Sequence, residues 1–366
     1  MGLKDKLRRF RKLLKREWEY WRRPLRLCIL KPTYRCNLRC QMCGAPSLAR
    51  PGEDCPELSR EEMLKITGEL AEMGAADLVL LGGEPLLRPE DVLAVATHAR
   101  QLGLRTTIET NGTLINENVA RGIVDSGLRH LVFSVDGVGA AHDRVRGGSG
   151  AFERAREGIR LVIEERRRRA ARFPYVTIES TLSRLNFDQM GPLYQFKEEI
   201  GADLMHFHYV FEARSEKAEA TRLDGEGMCS HRWIPKGESV LLSPKELAAF
   251  RDLLERAPKH EDIRILKAFK DEMYLKCEHT PRRCYKMRTH LLINPFGEAH
   301  PCSFLDKCVT GNVREAGVRA VWQNERHRRV IAGLRKGMYP ICSACYFFLE
   351  NLTPWQLARL QLLNRL

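Results

Sequence analysis

The sequence has no run of eighteen or more consecutive apolar residues, and so no candidate for a membrane-crossing helix. Its charged start is not followed by the continuous apolar stretch of a secretory signal. Lys6 stands where an N-myristoylation signal wants Ser or Thr, which argues against that anchor. Acid is in short supply: 47 Asp and Glu face 61 Lys and Arg, a formal net charge of +14. Half of that excess falls in residues 1–23, where ten Lys or Arg meet three acids. A basic arm of this kind attracts anionic partners, whether membrane surface or nucleic acid.

Cysteine, by contrast, is plentiful, with 12 in 366 residues. Without a secretion signal this number argues for metal ligation in a reducing cytoplasm rather than for disulfides. The length leaves room for two domains, and 43% hydrophobic residues permit a large core. Cys36, Cys40 and Cys43 stand at spacing C-x3-C-x2-C just after the apolar run Leu25–Leu30. Three thiolates from one loop can hold three irons of a [4Fe–4S] cube and leave the fourth open. A zinc site is the rival and needs a fourth ligand, for which Cys55 is the nearest cysteine. Cys28, inside the apolar run, reads as packing.

With these residues the sequence resembles the radical S-adenosylmethionine (SAM) enzymes over roughly residues 25–212. In that family the cysteine loop follows the first strand of a partial β/α barrel. Gly82-Gly83-Glu84-Pro85 is similar to the motif that contacts the SAM amino group, and Thr110-Asn111-Gly112 and Ser134-Val135-Asp136-Gly137 resemble the next two SAM-side motifs. Met42 departs from the aromatic that many members carry there, though a thioether is also soft and adaptable. The resemblance implies SAM contacts at Gly82, Gly83, Glu84, Asn111, Ser134 and Asp136, with Arg144 and Arg146 as partners for its carboxylate. Physically, the glycine pair lets backbone approach a ligand closely, and Glu84 can accept hydrogen bonds from an ammonium. The resemblance also implies the chemistry. An electron donor such as flavodoxin or ferredoxin reduces the cluster, SAM is cleaved, and a 5′-deoxyadenosyl radical abstracts hydrogen from the substrate.

Along the chain, Leu3, Leu7, Phe10, Leu14, Trp18 and Trp21 predict an amphipathic basic helix over 1–24, ended by Pro24. Its composition suits an interfacial helix on anionic lipid, hence a peripheral membrane position on a cytoplasmic protein. Nucleic-acid binding fits less well, because the aromatics lie on the apolar face. A βα rhythm over 25–212 then predicts six parallel strands, including Leu78–Leu81, Arg105–Glu109, His130–Val135, Val176–Leu182 and Leu204–Val210. The fold class expected is α/β: a partial (β/α)6 barrel with a small C-terminal hairpin-and-helix cluster-binding domain. Ser59 with Glu62 and Ser243 with Glu246 read as capping boxes. His206, His208, Tyr209 and Glu212 crowd the end of the sixth strand and are the catalytic candidates by position. Residues 213–283 read as a lid or linker containing one helix.

Cys284 and Cys302 flank a predicted β-hairpin, and Cys342-Ser343-Ala344-Cys345 follows. Four thiolates suffice for a closed cluster or for zinc. The arrangement, with Gly297 five positions before Cys302, is similar to the SPASM auxiliary-cluster extension in its short twitch form. That implies one auxiliary [4Fe–4S] cluster over 284–350, held by Cys284, Cys302, Cys342 and Cys345. Cys277 and Cys308 are spare. Residues 351–366 predict a terminal amphipathic helix. The function expected is hydrogen abstraction from a small-molecule or lipid-linked substrate, with net oxidation assisted by the auxiliary cluster. The alternatives are a peptide-modifying maturase and a non-enzymatic metal- or nucleic-acid-binding protein. About 24 residues before the first strand are too few for a compact leader-binding domain.

Overall fold

Nine strands form one open sheet in the computed structural model, which describes residues 24–44, 56–210, 212–230, 238–257 and 283–345 and isolated positions elsewhere. The first six run parallel, as the βα rhythm predicts: β1 (Leu27–Leu30), β2 (Asp77–Leu80), β3 (Arg105–Thr110), β4 (His130–Ser134), β5 (Tyr175–Leu182) and β6 (Leu204–Tyr209). Between them lie α1 (Arg60–Glu72), α2 (Pro89–Gln101), α3 (Glu117–Ser126), α4 (Ala140–Arg146), α5 (Ala151–Arg168) and α6 (Met190–Ile200). The short α4 was not expected, because seven residues cannot show an apolar period. Gly139 and Gly147, both at positive φ, delimit it.

Side-chain alternation decides what each face does. Leu78, Leu80, Ile108, Leu131, Phe133, Val176, Ile178, Met205 and Phe207 are buried in the main core with the helices. The opposite, inner face displays Thr107, Glu109, Ser134, Glu179, His206 and His208, all partly exposed. A packed barrel fills that position with branched aliphatics. This half-barrel carries polar groups there, and no pairing among the described residues closes it.

The C-terminal hairpin continues the sheet. β9 (His290–Ile293) pairs parallel with β1, from Leu27↔His290 to Leu30↔Ile293, so β1 lies between β2 and β9. The antiparallel β10 (Glu298–His300) and β11 (Gly311–Asn312) complete the edge. The turn is set by Asn294, whose Oδ1 accepts from Phe296 N (3.0 Å) and Glu298 N (2.9 Å), with Gly297 at φ 81°.

A second core gathers Ala213, Ala218, Met228, Cys284, Met287, Phe304, Val330 and Ile341. The segment expected to be a lid feeds it, through α7 (Ser215–Ala220) and the small hairpin β7 (Arg222–Leu223) and β8 (Glu226–Gly227). It acts as a bridge: Thr221 Oγ1 accepts from Ile341 N at 2.9 Å. Among the described residues four further helices follow, α8 (Pro244–Arg256), α9 (Lys286–Thr289), α10 (Val313–Gln323) and α11 (Glu325–Lys336). Both expected capping boxes are present, at Ser59/Glu62 and Ser243/Glu246. The basic helix expected over 1–24, apart from isolated positions, lies outside the described residues. So do Cys55, Cys277 and the terminal helix over 351–366. Among the described residues no helix is long and apolar enough to cross a membrane.

Glu62 does two jobs. It closes the α1 box on Ser59 N at 2.8 Å, and it holds Arg314 of α10 at 2.6 and 3.1 Å. Glu62→Ala is expected to cost about 1–2 kcal/mol, from a lost cap and a half-exposed ion pair. Adding Arg314→Ala should then cost little more. Denaturation midpoints of the two single variants and the double variant test this, and full additivity would show that the pair does not couple α1 to α10.

Candidate active site and cluster-binding cysteines

The loop carrying Cys36, Cys40 and Cys43 has no regular structure and hangs on four backbone hydrogen bonds. Gly83 N donates to Thr33 O (2.9 Å), Glu84 N to Arg35 O (2.8 Å), Arg39 N to Arg146 O (3.2 Å) and Gln41 N to Val145 O (3.0 Å). A Cβ on Gly82 would lie 2.3 Å from Thr33 O, and one on Gly83 2.1 Å from Arg35 O. The glycine pair was expected to admit a ligand. In the structure it admits the chain's own backbone, and so positions the cysteine loop.

Glu84, expected to accept from the SAM ammonium, is held by protein donors. It is 1% exposed, and its carboxylate accepts from Leu86 N (2.9 Å), Thr110 Oγ1 (2.7 Å) and Asn111 N (2.8 Å). It ties the end of β2 to the end of β3, although burial pushes its pKa up. Asn111 donates to Asn37 Oδ1 at 2.9 Å, and so reaches the loop between Cys36 and Cys40. Ser134 lies on the inner face, in register with Glu179.

Asp136 was expected to touch the cofactor, but its side chain is fully buried against protein groups. Oδ1 accepts from Thr181 N (2.9 Å) and Ser180 Oγ (3.4 Å), and Oδ2 pairs with Arg146 at 2.7 Å. The same guanidinium lies 3.9 Å from Cys40 Sγ. His142 beside it is held neutral, its pKa lowered to about 3 by burial and by Arg146, and its Nδ1 accepts from Asp136 N at 3.2 Å.

Cys36, Cys40 and Cys43 follow the carboxyl end of β1. Cys284 precedes the parallel β9, and Cys302 follows the antiparallel β10 and shares a small cleft with Lys31 and Tyr34. Burial pushes the Cys36 and Cys40 thiols up, each raised further by Cys43, while Arg146 pulls Cys40 back down. In the second set, burial holds Cys342 well above its usual value, and Cys284, Cys302 and Cys345 raise it further. Each set therefore shares one electrostatic neighbourhood, as common ligation requires. Among the described residues no three His, Cys, Asp or Glu side chains close on a single metal ion, as tetrahedral zinc would need.

Cys308 is turned towards Arg326, whose hydrogen bond and charge oppose the rise that burial causes. The reading from the chain overlooked Cys229, a further buried thiol pushed up to about 12 by burial, with Asp306 and Cys302 nearby. No local spacing marks it, since the residues around it contain no second cysteine.

Of the catalytic candidates, His206 and His208 lie on the inner face, and His208 Nε2 is 3.1 Å from Glu179 Oε2. Tyr209 is not on that face. It is 3% exposed, packs edge-on against Phe250 and donates to Leu266 O at 3.3 Å. Glu212 is spent on Ser239 Oγ and Val240 N, both at 2.7 Å. Two inner-face groups were missed, Glu109 and Glu179, together with Lys286 at the start of α9. Burial and the Glu179 charge raise Glu109 to about 8, with His208 and Lys286 opposing. Burial works against Glu179, yet the His208 hydrogen bond and charge hold it below the usual carboxylate range. Lys286 also pulls down Cys284 and Cys302. Strand alternation alone would have found the two carboxylates. A small cleft lined by Lys31, Tyr34, Leu292, Asn294, His300 and Cys302 runs beside β9.

The chain matches the radical SAM superfamily over residues 30–187 and an iron–sulfur cluster-binding domain, SPASM, over residues 284–346. The second match decides between zinc and iron–sulfur in favour of the latter. The chain is 32% identical over 305 residues to the AdoMet-dependent heme synthase of Methanosarcina barkeri, covering 82% of each chain. It is 25% identical over 321 residues to the PqqA peptide cyclase of Rhizobium meliloti, covering 86% of this chain and 77% of the relative. Among solved structures, Streptococcus suis SuiB bound to its precursor peptide SuiA superposes with TM-score 0.61 at 19% identity, over 92% of this chain and 76% of that one. That likeness shows the shared fold. The chain belongs to the radical SAM superfamily: it is an enzyme whose cofactors are SAM, the [4Fe–4S] cluster that binds SAM, and an auxiliary iron–sulfur cluster in a C-terminal SPASM-type domain.

Proposed function

We propose that Cys36, Cys40 and Cys43 hold the SAM-binding cluster, that Cys284, Cys302, Cys342 and Cys345 hold the auxiliary one, and that the substrate lies on the polar inner face between them. The supporting observation is the parallel pairing of β9 with β1, which joins the hairpin between Cys284 and Cys302 to the strand that leads into the first cysteine loop. When bound, the first cluster and SAM supply a carbon radical that abstracts hydrogen, and the second can accept an electron. The chain's own residues do the rest. Asn111 and the glycine pair orient the loop. Ser134, Glu109, the Glu179–His208 pair and Lys286 offer hydrogen bonds and charge to the substrate. The half-barrel screens the reacting carbon from water.

The substrate class we favour is a small molecule, and a tetrapyrrole is the first to test, because the 32% identical relative is named a heme synthase. A peptide substrate is the second reading, favoured by the PqqA cyclase relative. A lipid-linked substrate and an anionic membrane seat rest on the helix expected over residues 1–24, and gain nothing from the described residues.

Anaerobically reconstituted protein with SAM and a reductant should form 5′-deoxyadenosine several-fold faster with an iron tetrapyrrole bearing propionates than with unrelated peptides. Replacing Cys36, Cys40 and Cys43 with Ala should abolish it while the auxiliary cluster remains. Deoxyadenosine from that variant would contradict the ligand assignment, and stimulation by peptides alone would favour the second reading.

The inner face makes a further prediction. Folded Glu109 keeps its proton up to about 8, whereas the unfolded chain loses it near 4.5. Between those values the folded state binds more protons, so this group makes stability fall as pH rises through the window and then level off. Glu109→Gln should flatten that slope in thermal melts taken from pH 5 to 9. An unchanged slope would show that Glu109 ionises normally.

A further inference from the structure

We propose that Arg146 is a positioning residue that donates a hydrogen bond to the Cys40 sulfur and thereby sets the reduction potential of the SAM-binding cluster. This rests on the reading that Cys40 is a cluster ligand. Three observations support it. The guanidinium reaches Cys40 Sγ at 3.9 Å through one nitrogen and Asp136 at 2.7 Å through another, with its side chain only 14% exposed. Asp136 is itself locked by Thr181 N, so the arginine has one orientation. Finally, the backbone around Arg146 is clamped to the cysteine loop. Arg146 O and Val145 O accept from Arg39 and Gln41, and a Cβ on Gly147 would lie 2.3 Å from Arg39 O. A side chain at the end of α4 cannot leave the loop without breaking that clamp. A further donor, Nε, is buried and has no partner among the described residues.

The physical consequence follows from charge. Reduction adds one negative charge to a cluster already held by thiolates, and a buried cation with a hydrogen bond to a ligating sulfur favours that state. Arg146 makes the cluster easier to reduce, and the Asp136 carboxylate tempers the effect by partly neutralising the guanidinium. A fork that holds sulfur and carboxylate together is a geometry lysine cannot reproduce in full.

The test is an EPR-monitored redox titration of the full, reconstituted chain without SAM, with the auxiliary cluster as internal reference. Arg146→Gln should move the potential of the SAM-binding cluster to more negative values and leave the auxiliary one in place. Arg146→Lys should recover part of the shift. Asp136→Asn should move the same potential in the opposite direction, which a merely structural role would not produce. Equal potentials in wild type, R146Q and D136N, at full iron content, overturn the proposal. If R146Q fails to assemble the cluster, the sign of the D136N shift alone decides, and no positive shift overturns it. Cys40→Ala checks the underlying reading separately: a SAM-responsive signal surviving that change would remove the ligand assignment itself.

Discussion

The structure depends on one close approach, that of the Thr33–Arg35 backbone to Gly82 and Gly83. The cysteine loop makes no regular hydrogen-bond ladder, yet its thiols must hold fixed positions. It achieves this by borrowing partners from elsewhere in the chain: the turn after β2 on one side and the end of α4 on the other. Any side chain at position 82 or 83 would push a carbonyl away and with it the start of the loop. The buried Glu84 then fixes the turn to β3, and Asn111 fixes β3 to Asn37. The residues that resemble SAM contacts therefore act first on one another. Their order along the chain reflects a loop that must be held from several strand ends at once.

A second consequence concerns the inner face. Because β9 joins β1, the auxiliary domain shares the sheet of the half-barrel. Charged groups lie near both cysteine sets and on the inner face: Arg146 near Cys40, Glu179 with His208, Glu109, and Lys286 near Cys284 and Cys302. Polar groups facing a lumen cost desolvation unless something uses them.

Much of this was legible in the chain, and the exceptions have a common cause. Capping boxes and the βα rhythm are local, and each appears where it was read. The face assignment at β6 was also correct, with His206 and His208 on one side. Choosing Tyr209 as a candidate failed because that ring lies on the other face, in the core. What local pattern cannot report is who meets whom. Nothing in Leu291–Ile293 says that it will pair with β1 rather than form a separate sheet. Nothing in Asp136 says that Thr181 and Arg146 will consume its oxygens. Helix α4 was invisible because it is too short to have a period. Glu109 and Glu179 were overlooked although alternation placed them, since a carboxylate in a strand carries no spacing signature.

The central claim is that one sheet carries two cluster sites with different chemistry, an open one at the carboxyl end of β1 and a closed one beside β9. Mössbauer spectroscopy of protein reconstituted with iron-57 tests it most directly, with and without SAM. The account predicts two [4Fe–4S] components of equal intensity, of which only one changes on adding SAM. A single component, or two that both change or both ignore SAM, would contradict it.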